Sequence, residues 1–209
     1  MHNITELTEY KKELHGKLLS TAMAEFSSRG IKAVKMDDIA AKLGISKRTM
    51  YEIYSKKEDI LLEGILRHDK LEEERFAEYI NKAPRTTMDI LIEFFRMQMK
   101  TASIVCPQFY TDLHKYQNVL ETIAKKHSER DQRALAFFNK GVEEGYFRPD
   151  FDYTLLMTVA RQSMHFVMDT QLYKQYGTER LFRNMIMLFI RGFATQKGIL
   201  EFDKALSDF

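Results

Sequence analysis

The stretch MDDIAAKLGISKRTMYEIYSKK, residues 36–57, constrains the fold more than any other part of the chain. Ile39, Ala40 and Leu43 recur at helical spacing, and Gly44 can adopt the left-handed backbone conformation that closes a helix without a Cβ clash. Two residues later, Ser46 carries the short hydroxyl side chain suited to capping the next helix. The pattern predicts two short helices joined by a tight turn, a helix-turn-helix. Ile45, Met50 and Ile53 are the apolar positions available for packing, which leaves Lys47, Arg48, Thr49 and Tyr51 for an outward face.

Two helices joined so closely cross steeply, so the second can enter a major groove while the first braces it over the backbone. An αα-hairpin with a solvated charged face would share these local features. Charge separates the two readings in part. Residues 29–57 carry eight basic and three acidic side chains, a balance of +5, whereas the whole chain is only +2 and residues 61–209 hold 21 of each sign. Basic charge is concentrated on the motif, as phosphate binding requires.

The matching residues extend well beyond the turn. Ala24, Glu25 and Phe26, then Gly30, Asp38 to Ala40, Leu43 to Ser46, Thr49 to Tyr51, Lys57 with Glu58, and Ile60 with Leu61 stand in a fixed order over about forty residues. In that order and spacing the region resembles the DNA-binding domain of the TetR family of bacterial transcriptional regulators. The resemblance implies an all-α fold of about nine helices, with an N-terminal three-helix DNA-binding domain and a C-terminal helical bundle for ligand binding and dimerisation. It divides the chain into a helix-turn-helix domain (1–56), a connecting helix (57–83) and a ligand-binding and dimerisation domain (84–209).

The resemblance also assigns DNA contacts. Lys47, Arg48 and Thr49 are expected at or beside base edges, Tyr51 on a phosphate or a thymine methyl, and Lys57 with the adjacent helix N-terminus on phosphate. Ser46 is expected to cap the second helix and touch phosphate, and Lys35 to reach another phosphate. Two positions depart from the family pattern. Lys35 stands where Thr or Ser usually caps the first motif helix, so the cap falls to Asp37, Asp38 or water. Glu52 follows Tyr51 where relatives carry aromatic or basic residues, and it either turns away from the backbone or pairs with Lys56.

The rest of the chain reads as helix with no alternating strand. Leu14, Leu18, Ala22 and Phe26 form an apolar stripe that Gly30 ends. Three prolines and nine glycines, placed mainly at breaks, fit short connections between helices. Two long apolar helices are expected near the end, at about 153–173 and 179–197. They carry apolar residues on more than one face, among them Leu155, Leu156, Val159, Phe166 and Val167, then Leu181, Met185, Leu188 and Phe189. Either both are buried in their own domain or, as the resemblance implies, these last two helices pair with a second copy in a homodimer.

Aromatic and methionine residues are dense in the second domain. Phe94, Phe95, Met99, Phe109, Phe138, Met164 and His165 are the candidate lining of an effector pocket for a small apolar or aromatic molecule; the alternative is ordinary core. Arg161, His165 and Asp169 recur at spacing four, so they orient a ligand, pair across a dimer interface or meet solvent.

Several classes find no support. The single Cys106 permits no internal disulfide, and the six histidines show no ligand spacing, so no metal is expected. No phosphate-cradling glycine loop, nucleophile elbow or paired carboxylates argue for an enzyme, and no cofactor is implied. The start of the chain lacks a secretion signal and no apolar run would span a bilayer, so a cytoplasmic location with no membrane partner is expected. The expected function is a ligand-responsive DNA-binding transcriptional regulator, a repressor released from a partly palindromic operator by its effector. The alternatives are an activator, a ligand-independent DNA binder, or a helical small-molecule binder that does not bind DNA.

Overall fold

A computed structural model describes residues 2–128 and 131–206, with side-chain surroundings for 9–126 and 134–206. The described residues form twelve helices: α1 (His2–Arg29), α2 (Met36–Leu43), α3 (Lys47–Ile53), α4 (Lys57–Asn81), α5 (Thr87–Ile104), α6 (Pro107–Leu113), α7 (Gln117–Ser128), α8 (Asp131–Glu143), α9 (Tyr153–Asp169), α10 (Leu172–Tyr176), α11 (Thr178–Phe193) and α12 (Gln196–Leu206). The all-α expectation holds, and the count of about nine was too low. Gln171 at φ 56° breaks the expected 153–173 helix into α9 and α10, while Ala194 turns extended and separates α12 from α11. Neither break is marked by proline.

The chain divides into two compact units. The first comprises Met1–Glu73 together with Gln108–Ile123, and the second Glu74–Pro107 with Ala124–Phe209. Residues 108–123, which the sequence reading placed with 84–209, thus associate with the N-terminal helices. α4 contributes to both units.

In the first unit the predicted stripe of α1 is buried: Leu14, Leu18, Ala22 and Phe26 all lie in the core, joined by Ile31, Val34, Ile39, Met50, Ile60 and Leu61. Each large apolar side chain is worth roughly 1.5–3 kcal/mol on full burial, so this stripe anchors the N-terminal core. Gly30 ends α1 at φ 86°, its N–H returning to the Phe26 carbonyl at 2.9 Å. There is no room for a side chain here, because a Cβ on Gly30 would lie 2.6 Å from Gln108 Cγ.

The second unit centres on Met88, Leu91, Phe95, Phe147, Tyr153, Leu156, Ile190, Phe193 and Phe202. Phe138 stacks on Tyr153 at 4.7 Å and meets Phe193 edge-on at 5.5 Å, an arrangement that adds geometric preference to apolar burial. Thr86 and Asp89 cap α5 reciprocally, and Glu144 accepts from both the N–H and the hydroxyl of Thr87 at 2.7 Å. These bonds seat the start of α5 on the end of α8.

Candidate nucleic-acid interface

The turn between α2 and α3 is built by its own residues. Gly44 sits at φ 65°, ψ 27°, and its N–H together with that of Ile45 satisfies the last carbonyls of α2 at Ala40 and Ala41. A Cβ at Gly44 would meet nothing within 4 Å, so glycine is required there by the backbone conformation alone. Ser46 then caps α3, its Oγ accepting from the Thr49 N–H at 3.0 Å. At the start of α2 Lys35 makes no side-chain cap, and the Asp38 carboxylate reaches back to accept from the Lys35 N–H at 3.0 Å.

Burial of Met50 at 0% and of Tyr54 at 5% fixes how α3 is rotated. Lys47, Arg48, Tyr51 and Glu52 consequently face outward, and Tyr51 is half exposed. Thr49 is only partly exposed, and its hydroxyl lies 2.8 Å from Ser46 Oγ. Ile45 and Ile53 are half-buried.

Most of the cations on this surface are engaged in the free protein. Lys47 pairs with Asp37, Lys42 and Arg29 share Glu25, and Arg48 Nε donates to Glu52 at 2.9 Å. The bond to Asp37 raises the Lys47 ammonium above the usual lysine range, and the bond to Glu52 likewise raises Arg48. The ammonium groups of Lys32, Lys35 and Lys56 have no carboxylate partner among the described residues. Glu52 does not pair with Lys56 because α3 stops at Ile53 and Tyr54 is extended at φ −133°, which takes Lys56 off the helical spacing.

Lys57 is placed differently from the exposed cations. Its ammonium donates to the Ile31 carbonyl at 2.9 Å, and burial depresses its pKa, with Asp112 and Asp38 opposing that shift. In the free protein it braces the α1–α2 connection. Asp112 of α6 braces the same connection: it is 1% exposed and accepts from the Lys32 N–H at 2.7 Å and from Gln108 Nε2 at 2.8 Å. Nothing in the sequence singled out Asp112, because its partner lies 80 residues away.

The candidate effector residues do not form one set. Phe95 and Met99 line an open cavity of ≈ 290 Å³ between α5 and α11, with Arg96, Lys100, Ser103, Glu179 and Arg183 as the other walls. Phe138 belongs to the aromatic core, and Phe109 is buried in the first unit. Phe94, Met164 and His165 are exposed in the single chain, as are Arg161 and Asp169. His2 and His127 have side chains outside the described residues, and among the described residues no three His, Cys, Asp or Glu side chains gather as a metal site would need. No helix there is long and apolar enough to cross a membrane.

A short recognition helix, held by a glycine turn and a serine cap on a three-helix core, defines a helix-turn-helix DNA-binding regulator. Residues 18–63 match the model for bacterial regulatory proteins of the tetR family. The transcriptional repressor KstR2 of Mycobacterium tuberculosis is 30% identical over 158 residues, covering 71% of this chain and 76% of the relative. The transcriptional activator FasR of Mycolicibacterium smegmatis is 34% identical over 79 residues, 38% of this chain and 34% of that protein. The same architecture occurs in a regulator from Saccharomonospora viridis solved in complex with choline, at TM-score 0.68 and 21% identity, covering 88% of this chain and all of that one. The chain is a member of the TetR family of bacterial transcriptional regulators.

The exposures of Tyr51 and Thr49 separate their contributions. Tyr51→Ala is expected to weaken binding to all duplexes by about tenfold, as the loss of one phosphate contact would. Thr49→Ala is expected to change base preference as well. Binding isotherms on matched duplexes check the first, and selection from randomised duplexes checks the second; an unchanged preference would remove Thr49 from the reading set.

Proposed function

We propose that the chain is a homodimeric, ligand-responsive repressor that acts in the cytoplasm on a partly palindromic operator. The observation that carries this reading is the outward face of α3, where Lys47, Arg48 and Tyr51 stand clear of a core that fixes the helix through Met50 and Tyr54. Lys35 and Ser46 flank that face, and Lys57, which gives one ammonium N–H to the Ile31 carbonyl, has further donors for a phosphate.

Dimerisation is proposed through α9 and α11. Leu155, Val159 and Phe166 on α9 are 58%, 46% and 60% exposed, and Leu188 on α11 is 72% exposed, although both helices bury their other sides in the same core. An apolar stripe at helical spacing on the solvent side of two long helices favours a second copy of the same surface. Two motifs are also what a palindrome needs, since its half-sites recur about 34 Å apart.

The effector is proposed to enter the second unit. The cavity between α5 and α11 has Phe95 and Met99 as its apolar part and Arg96, Lys100 and Arg183 among its polar walls, which suits an apolar molecule bearing an acidic group. Its preference for one conformation would reposition α4 and hence the motif; a shift of roughly a hundredfold needs ~3 kcal/mol of differential binding. The likeness to an activator over 79 residues supports one second reading, activation.

A reporter driven by a promoter overlapping the selected operator distinguishes them. Repression predicts lower output with the protein and recovery on adding an effector from a compound panel, whereas higher output with the protein would assign activation.

A further inference from the structure

The pairing of Arg48 with Glu52 has a geometry that bears on base reading. Both lie on the outward face of α3, one turn apart, and Arg48 Nε donates to Glu52 Oε1 at 2.9 Å. A guanidinium presents five N–H donors in a planar fork. With the Nε–H given to Glu52, the terminal edge formed by the two Nη groups keeps its donors, and that edge matches the O6 and N7 acceptors of guanine in the major groove.

A carboxylate on a DNA-facing helix is otherwise a liability, because it repels phosphate. Here it holds the Arg48 side chain by its inner nitrogen and makes the pair neutral. Lys47 is also paired, to Asp37, but an ammonium has no second edge to orient. The two cations are therefore not equivalent, and only Arg48 gains direction from its acidic neighbour.

We infer that Glu52 is a positioning residue that presents Arg48 to a guanine in each operator half-site. The inference rests on the DNA-binding reading above. It predicts that the Arg48–Glu52 pair contributes to discrimination while adding little to general phosphate attraction, because as a unit it is neutral.

The test is selection from randomised duplexes with the full-length chain, followed by salt titrations of binding. Arg48→Ala should reduce guanine preference at one position of each half-site by about tenfold. Glu52→Ala should lose preference at that same position, leave the other positions unchanged, and strengthen binding to random duplex. Glu52→Gln keeps an oxygen that can accept from Nε without the charge, so guanine preference should persist while the salt slope steepens by about one. Thermal melts matching the wild type exclude misfolding as the cause.

A Glu52→Ala protein with intact guanine preference would overturn the inference, as would loss at a position different from that of Arg48→Ala. Wild-type protein that enriches no sequence at all would instead overturn the DNA-binding reading on which it rests.

Discussion

Replacing Phe166 and Leu188 together by glutamate is expected to yield a folded monomer whose operator affinity falls by about two orders of magnitude or more. In the single chain both side chains already face water, at 60% and 72% exposure, so charge there should alter its stability by no more than ~0.5 kcal/mol. In a dimer that buries this face, four added carboxylates would have to leave water, a cost that opposes association. Two linked motifs on one duplex gain about 10²–10⁴ in binding over a single motif, and that gain vanishes with the dimer. Sedimentation velocity and binding to a two-half-site duplex measure the two effects. A persistent dimer with unaltered operator affinity would remove α9 and α11 from the interface.

The second large effect is expected at Asp112. Asp112→Ala should destabilise the protein by about 2–4 kcal/mol, since it strips the acceptor from the Lys32 N–H and from the Gln108 amide at a site that water barely reaches. Asp112→Asn keeps the volume and one acceptor oxygen, so it should cost less. Close packing offers no simple repair, because Gly30 already approaches Gln108 too closely to admit a methyl group. Chemical denaturation curves give the magnitude, and an Asp112→Ala protein as stable as the wild type would show that the α6 brace contributes little.

What the sequence made legible was the structure determined by near neighbours. Gly44, Ser46 and the 36–57 pattern specify a turn whose hydrogen bonds close within six residues, and the α1 stripe is buried where its spacing places it. Distant contacts were not legible. Asp112 reaches back 80 residues to Lys32, and no local pattern announces that residues 108–123 belong with the N-terminal helices.

Facing was also underdetermined. Phe94 and Phe95 are adjacent and chemically identical, yet one is 45% exposed and the other buried against Phe202 at 5.4 Å. Apolar character cannot say which side of a helix meets its own core and which meets another chain. Glu52 shows the same limit for charge: Arg48 and Lys56 both lie four residues away, and only the end of α3 at Ile53 decides between them.

Incubating the intact protein with a pool of randomised duplexes and sequencing those retained tests operator binding by a homodimer. A two-fold related sequence should be enriched, its half-sites centred about one helical turn, or a small multiple of it, apart. The logarithm of the affinity should fall linearly with the logarithm of the salt concentration. Retention without enrichment of any sequence, or no retention at low salt, would contradict operator binding.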